Sequence, residues 1–166
     1  MADLPAPLLS PSLLGLPKWT VRDGWIELCS RYAWDWFCTM TFAVSVHPER
    51  AGKTWRYWVN QLNRSVFGRH WQGTDHMGVF WVRGSEYQMR GVLHYHALMS
   101  AIVDLNGFAR RLSWMDEWKK LAGFTKIEPV FDKTAVTKYV TKYVVKGGDI
   151  DVSENLHRYY RQDNLL

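Results

Sequence analysis

Two stretches of the chain, Met77 to Gln88 and Val92 to Val103, carry the apolar and β-branched character of strands and are separated only by Met89-Arg90-Gly91. A connection that short and glycine-containing turns the second strand back alongside the first. The chain is thereby committed to antiparallel pairing. Within the returning strand, residues two apart point to the same face.

The remaining patterns surround this hairpin with helices. Residues 1–17 hold Pro5, Pro7, Pro11 and Pro17 and read as an extended arm. Thr20 to Arg31 has the spacing of a helix, with Trp25, Ile26 and Cys29 on one side. Asp35 to Val46 alternates as a strand, with Thr39 and Thr41 on one face and Cys38, Met40 and Phe42 on the other. Pro48 opens a helix to Phe67, whose buried stripe is Trp55, Val59, Leu62 and Val66. Phe108 to Leu121 is expected to be a helix ending at Gly123, with Phe108, Leu112, Met115 and Leu121 inward. Thr125 to Phe131 reads as a short strand, and Lys133 to Lys146 as a helix stopped by Gly147-Gly148. From Asp149 onward the polar, mixed-charge sequence suggests no element. This order predicts an α+β fold, an antiparallel sheet with helices packed on it.

At 166 residues the chain fits one domain, and 47% hydrophobic residues suffice for a core. Ten tryptophans within 15% aromatics exceed what that core needs, so part of the rings is expected on a contact surface. A formal charge of +5 and a pI near 9.3 suggest an anionic partner. Cys29 and Cys38 lack paired-motif spacing and read as reduced, buried thiols of a cytosolic protein. The N-terminal stretch lacks the basic start of a signal peptide, and no apolar run approaches the ~20 residues of a membrane span. A cytoplasmic protein is expected.

Two constellations carry chemistry. His94-Tyr95-His96 places two imidazoles on one face of a strand, where neutral rings can share a metal ion. Glu86, on the neighbouring strand, can come across the hairpin to complete an N,N,O set. In isolation, two histidines on a strand are more often structural or surface residues than ligands. The second constellation is Tyr139-Val-Thr-Lys142-Tyr143-Val-Val-Lys146. On a helix Tyr139 and Tyr143 stack on one face, with Lys142 and Lys146 on an adjacent one. A phenol is a weak nucleophile at neutral pH, and a nearby ammonium favours its phenolate. Taken alone, this segment reads better as an amphipathic basic helix.

Together the two resemble the motifs of the HUH endonucleases, the rolling-circle replication initiators and their relatives. Phe37-Cys-Thr-Met-Thr-Phe42 resembles the first family motif, Arg90-Gly-Val-Leu-His94-Tyr-His96-Ala-Leu the second, and Tyr139 to Lys146 the third. The doubled tyrosine is similar to initiators of small single-stranded DNA phages, including filamentous-phage gene II-like proteins. Tyr143-Val-Val-Lys146-Gly-Gly-Asp149 also resembles the single-tyrosine motif of circular-DNA virus initiators, so Tyr143 ranks before Tyr139.

The resemblance implies a ferredoxin-like or RNA-recognition-type fold at residues 18–150, between the arm (1–17) and a polar tail (151–166). It implies Mg²⁺ or Mn²⁺ on Glu86, His94 and His96, with Tyr143 or Tyr139 as nucleophile and Lys146 and Lys142 assisting. The product would be a 5′-phosphotyrosine link to single-stranded DNA at an origin or hairpin. Thr39, Thr41, Arg50, Lys53, Arg56 and Arg90 are the expected DNA contacts. Ala51-Gly52-Lys53-Thr54 echoes the end of a phosphate-binding loop, but His47 stands where its first glycine belongs, so no ATP use is expected. Unwinding and synthesis would fall to a host helicase and polymerase in a bacterial cell. The competing readings are a transposase or plasmid relaxase of the same chemistry, a non-catalytic single-strand binding domain with aromatic platforms, and a zinc-stabilised structural domain.

Overall fold

The computed structural model describes residues 18–73, 78–132 and 149–163. The elements run α1 (Lys18–Ser30), β1 (Trp36–Thr41), α2 (Pro48–Phe67), β2 (Phe80–Tyr87) and β3 (Leu93–Ser100). They continue with α3 (Leu105–Phe108), α4 (Arg111–Leu121), β4 (Thr125–Pro129), β5 (Ile150–Val152) and α5 (Leu156–Asp163). The five strands form one sheet in the order β4-β1-β3-β2-β5, and every neighbouring pair is antiparallel. The unit β1-α2-β2-β3-α4-β4 with order 4-1-3-2 is the ferredoxin-like arrangement that the family resemblance implies, here extended by β5 on the β2 edge.

Strand alternation divides the side chains between two cores. Trp36, Cys38 and Met40 of β1 and Tyr95, Ala97 and Met99 of β3 face α2 and α4, where Trp55, Trp58, Leu62, Trp114 and Trp118 close on them. Phe37, Val82 and Leu98 face the other way and meet Cys29, Tyr32, Trp34, Leu156 and Tyr159. Helix α2 begins as the sequence implies. Pro48 needs no N–H donor at the first helical position, and the His47 ring accepts the Glu49 N–H at 3.3 Å. Its inward stripe includes Trp55, Val59 and Leu62, with Val66 half-buried at the rim.

Three expectations change. The helix predicted from Phe108 breaks at Ala109-Arg110, whose extended backbone resets the helical phase. Trp114 and Trp118, one turn apart, then point inward. Phe108, Leu112 and Leu121 are 64%, 59% and 43% exposed, and only Met115 of the predicted inner side packs on the core. Two indoles bury more apolar area than the leucines could, and that decides the rotation. Second, seven of the ten tryptophans, Trp34, Trp36, Trp55, Trp58, Trp81, Trp114 and Trp118, are buried, and the exposed rings among the described residues are those of Tyr57, Tyr87, Phe108, Phe124 and Phe131. Third, residues beyond Asp149 do form elements. Strand β5 pairs with β2, and Leu156 and Tyr159 of α5 are buried, the Tyr159 hydroxyl donating to the Gly78 carbonyl at 2.7 Å.

Both cysteines are buried free thiols, and burial pushes Cys29 up to about 12 and Cys38 in the same direction. Among the described residues no helix is long and apolar enough to cross a membrane. The predicted arm at 1–17 and the predicted helix from Lys133 to Lys146 lie outside the described residues.

Candidate metal centre

The antiparallel register brings the first two motifs together. Strand β3 is central, and His94 stands directly between Thr41 of β1 and Glu86 of β2. One pleat along, His96 stands between Thr39 and Gly84. All of these side chains share the face opposite α2 and α4, because each lies at an odd number of residues from the core positions of its strand. The imidazole centroids are 6.0 Å apart with planes inclined by 16°. Phe37 stacks on His96 at 6.0 Å, which joins this face to the second apolar core.

Each ring is held at Nδ1. The His94 Nδ1 lies 3.1 Å from the Thr41 hydroxyl, and the His96 Nδ1 lies 3.4 Å from that of Thr39. The His96 Nε2 is 3.6 Å from a Glu86 carboxylate oxygen. The His94 Nε2 is buried and has no hydrogen-bond partner among the described residues. Burial holds His94 below its ordinary value; Glu86 opposes the shift and Arg90 adds to it. The ring is thus neutral near pH 7, the form a metal requires.

Two imidazoles and a carboxylate fit a divalent cation, and an orphaned buried Nε2 is a group that gains from one. As the side chains stand, no three His, Cys, Asp or Glu residues among those described converge tightly enough to hold a metal alone. Glu86 already lies beside His96, so sharing one ion requires the three side chains to draw together.

The other predicted site residues are spread more widely. Arg90 lies on the β2–β3 turn, beside Gly91 with φ 73°, and its Nε donates to Gln88 at 3.4 Å. Arg50, Lys53 and Arg56 lie on α2, which packs against the opposite side of the sheet, and Lys53 pairs with Glu49 at 2.9 Å. Thr39 and Thr41 turn their hydroxyls to the histidines. Tyr139, Lys142, Tyr143 and Lys146 lie outside the described residues. The chain re-enters at Asp149, whose carbonyl accepts the Ser85 N–H at 2.9 Å, next to Glu86.

Sequence reading passed over Lys126. It pairs in register with Thr39 and so shares the histidine face, ion-paired with Glu128 at 2.8 Å. The alternation around buried Ile127 carried that signal, but only the β1–β4 pairing says which face it is.

The model of a replication-associated protein family, that of ORF2 and the gene II protein, matches residues 35–148. No curated protein and no solved structure matches the chain significantly.

Proposed function

Because this chain belongs to the replication-associated protein family of ORF2 and the gene II protein, we propose that it initiates rolling-circle replication by nicking and rejoining single-stranded DNA at a defined site. The observation that carries the reading is the Thr41–His94–Glu86 row with His96 beside it, a two-histidine, one-carboxylate set on the sheet face opposite α2 and α4.

Glu86, His94 and His96 would hold Mg²⁺ or Mn²⁺, which when bound withdraws charge from the scissile phosphate. The Tyr143 hydroxyl oxygen bonds to phosphorus as the bond to the 3′ oxygen breaks, and the phenolic proton ends on the released 3′-hydroxyl. The product is a 5′-phosphotyrosine and a 3′ end that a polymerase can extend. Lys142 and Lys146 favour the phenolate and steady the phosphate charge. Tyr139 takes the strand in a second transfer that closes the circle. Five residues lie between Tyr143 and Asp149, a tether of at most about 22 Å to the point beside Ser85. Tyr143 ranks as first nucleophile because it satisfies both the doubled-tyrosine and the single-tyrosine motif. Unwinding and synthesis fall to a host helicase and polymerase in the bacterial cytoplasm.

With seven tryptophans buried, a non-catalytic aromatic-platform binding domain would have to stack bases on other rings, such as Tyr57 and Tyr87. The test is a labelled single-stranded oligonucleotide pool with Mn²⁺, comparing wild type with Tyr143→Phe, Tyr139→Phe and the double variant. A covalent adduct is expected in wild type, reduced by Tyr143→Phe and abolished in the double variant. Undiminished adduct in the double variant would sink the tyrosine mechanism.

A further inference from the structure

We propose that Thr41 is a positioning residue that holds His94 as its Nδ1–H tautomer and so keeps the Nε2 lone pair on the face shared with Glu86. The inference rests on the reading of His94 as a metal ligand and adds to it the residue that sets its protonation pattern.

The argument starts from the register. Thr41 is directly opposite His94, both side chains are buried, and Thr41 Oγ1 lies 3.1 Å from Nδ1. Two arrangements satisfy that contact. If the hydroxyl donates to Nδ1, the ring hydrogen sits on Nε2; if Nδ1–H donates to the hydroxyl, Nε2 carries a lone pair. The Nε2 atom is buried without a partner among the described residues. An orphaned N–H is rarer and costlier in a protein interior than an unfilled acceptor, so the second arrangement is favoured. A metal-ligating imidazole is commonly held in this way through its other nitrogen.

Thr41 can impose the choice because it is itself fixed. Its N–H donates to the Phe124 carbonyl at 2.8 Å, and its carbonyl accepts the Trp118 indole N–H at 3.3 Å. Gly123 packs so closely against the Thr41 carbonyl that a Cβ there would collide with it and stand 2.6 Å from Ala43 N. The next residue, Phe42, donates its N–H to the Leu93 carbonyl at 3.2 Å, tying the strand end to the residue before His94. Thr39 stands in the same relation to His96, but at 3.4 Å, and the His96 ring also has Glu86 beside its Nε2. His94 has only Thr41 among these groups, so the assignment is to Thr41.

The test uses the full chain, metal-free, with isotope-labelled histidine at mildly alkaline pH. Long-range nitrogen–proton spectra then distinguish the protonated ring nitrogen from the bare one. Wild type is expected to show His94 with Nδ1 protonated. Thr41→Val, nearly the same shape without the hydroxyl, is expected to move His94 toward the Nε2–H form that free imidazole favours, and Thr41→Ser to restore the wild-type pattern. Mn²⁺ affinity should fall by about 10–100-fold in Thr41→Val and recover in Thr41→Ser. Melting curves establish that each variant is folded, and the wild-type tautomer remains decisive if Thr41→Val is not. A wild-type His94 protonated at Nε2, or one unchanged by Thr41→Val, overturns the proposal. Mn²⁺ binding equally well to wild type and Thr41→Val overturns it too. Failure of wild type to bind Mn²⁺ overturns the ligand role of His94 instead, and the tautomer spectra then report on Thr41 separately.

Discussion

Burial lowers the affinity of the folded His94 ring for a proton; Glu86 resists that effect and Arg90 reinforces it. The unfolded ring protonates near pH ~6.5, so the unfolded chain binds more protons than the folded one just below that pH. The stability tied to His94 is therefore complete above its unfolded value and is lost as the pH falls through the lowered folded value. Metal-free wild type should lose denaturant resistance over that window more steeply than His94→Asn, which carries no such proton. Urea midpoints across mildly acidic pH measure this, and parallel curves for the two proteins would show that His94 is not the group responsible.

Between elements, the turn after α4 is what locks the end of β1. Ala43 N–H donates to the Ala122 carbonyl at 2.8 Å, and Gly123 leaves no room for a side chain against Thr41. Gly123→Ala must push these backbones apart, so a loss of about 1–3 kcal/mol is expected, together with weaker Mn²⁺ binding because Thr41 moves. Chemical denaturation and calorimetric titration on the same variant check both. At the opposite edge, Arg83 lies buried over Tyr95 at 4.1 Å and Trp81 at 5.4 Å, and its Nη2 donates to Asp151 of β5 at 3.0 Å. Removing the partner of a buried cation can cost ~3–5 kcal/mol. Asp151 is 46% exposed and solvent-screened, so Asp151→Ala should cost about 1–2 kcal/mol by urea denaturation.

These two junctions also mark what could be read in the sequence. The hairpin, the α2 start at Pro48, the shared face of His94 and His96 and that of Thr39 and Thr41 follow from local periodicity, and local periodicity survives folding. The inward side of α4 was not legible, because a two-residue break at Ala109-Arg110 rotates it and only the Trp114 and Trp118 contacts fix the result. Strand β5 spans just Ile150–Val152, too short for a pattern, and exists because β2 offers it an edge. The contact of each threonine with its own histidine required the β1–β3 register, which no single strand encodes.

For the molecule as a whole, the family match at 35–148 takes in the βαββαβ unit and the tyrosine segment. It leaves outside α1, β5 and α5, which supply the layer beneath Phe37, Val82 and Leu98. Charge is divided by the same sheet. Arg50 and Arg64 project from α2 on one side, while His94, His96 and Lys126 lie on the other. A sheet and a helix layer intervene, more than the ~8 Å over which exposed charges act at physiological salt. The α2 cations are therefore expected to act on the approach of a polyanion and not on a phosphate at the histidines. Arg50→Glu with Arg64→Glu takes the formal charge from +5 to +1. It should slow association with single-stranded DNA at low salt and flatten the salt dependence of binding, while adduct formation at saturating oligonucleotide changes little. Lys126→Ala, on the histidine face, should do the reverse, with a small effect on association and a larger one on adduct formation once bound. Stopped-flow binding and single-turnover adduct assays on both variants separate the two sides of the sheet. A loss of the saturated rate in the α2 variant equal to that in Lys126→Ala would mean that the DNA runs over both faces.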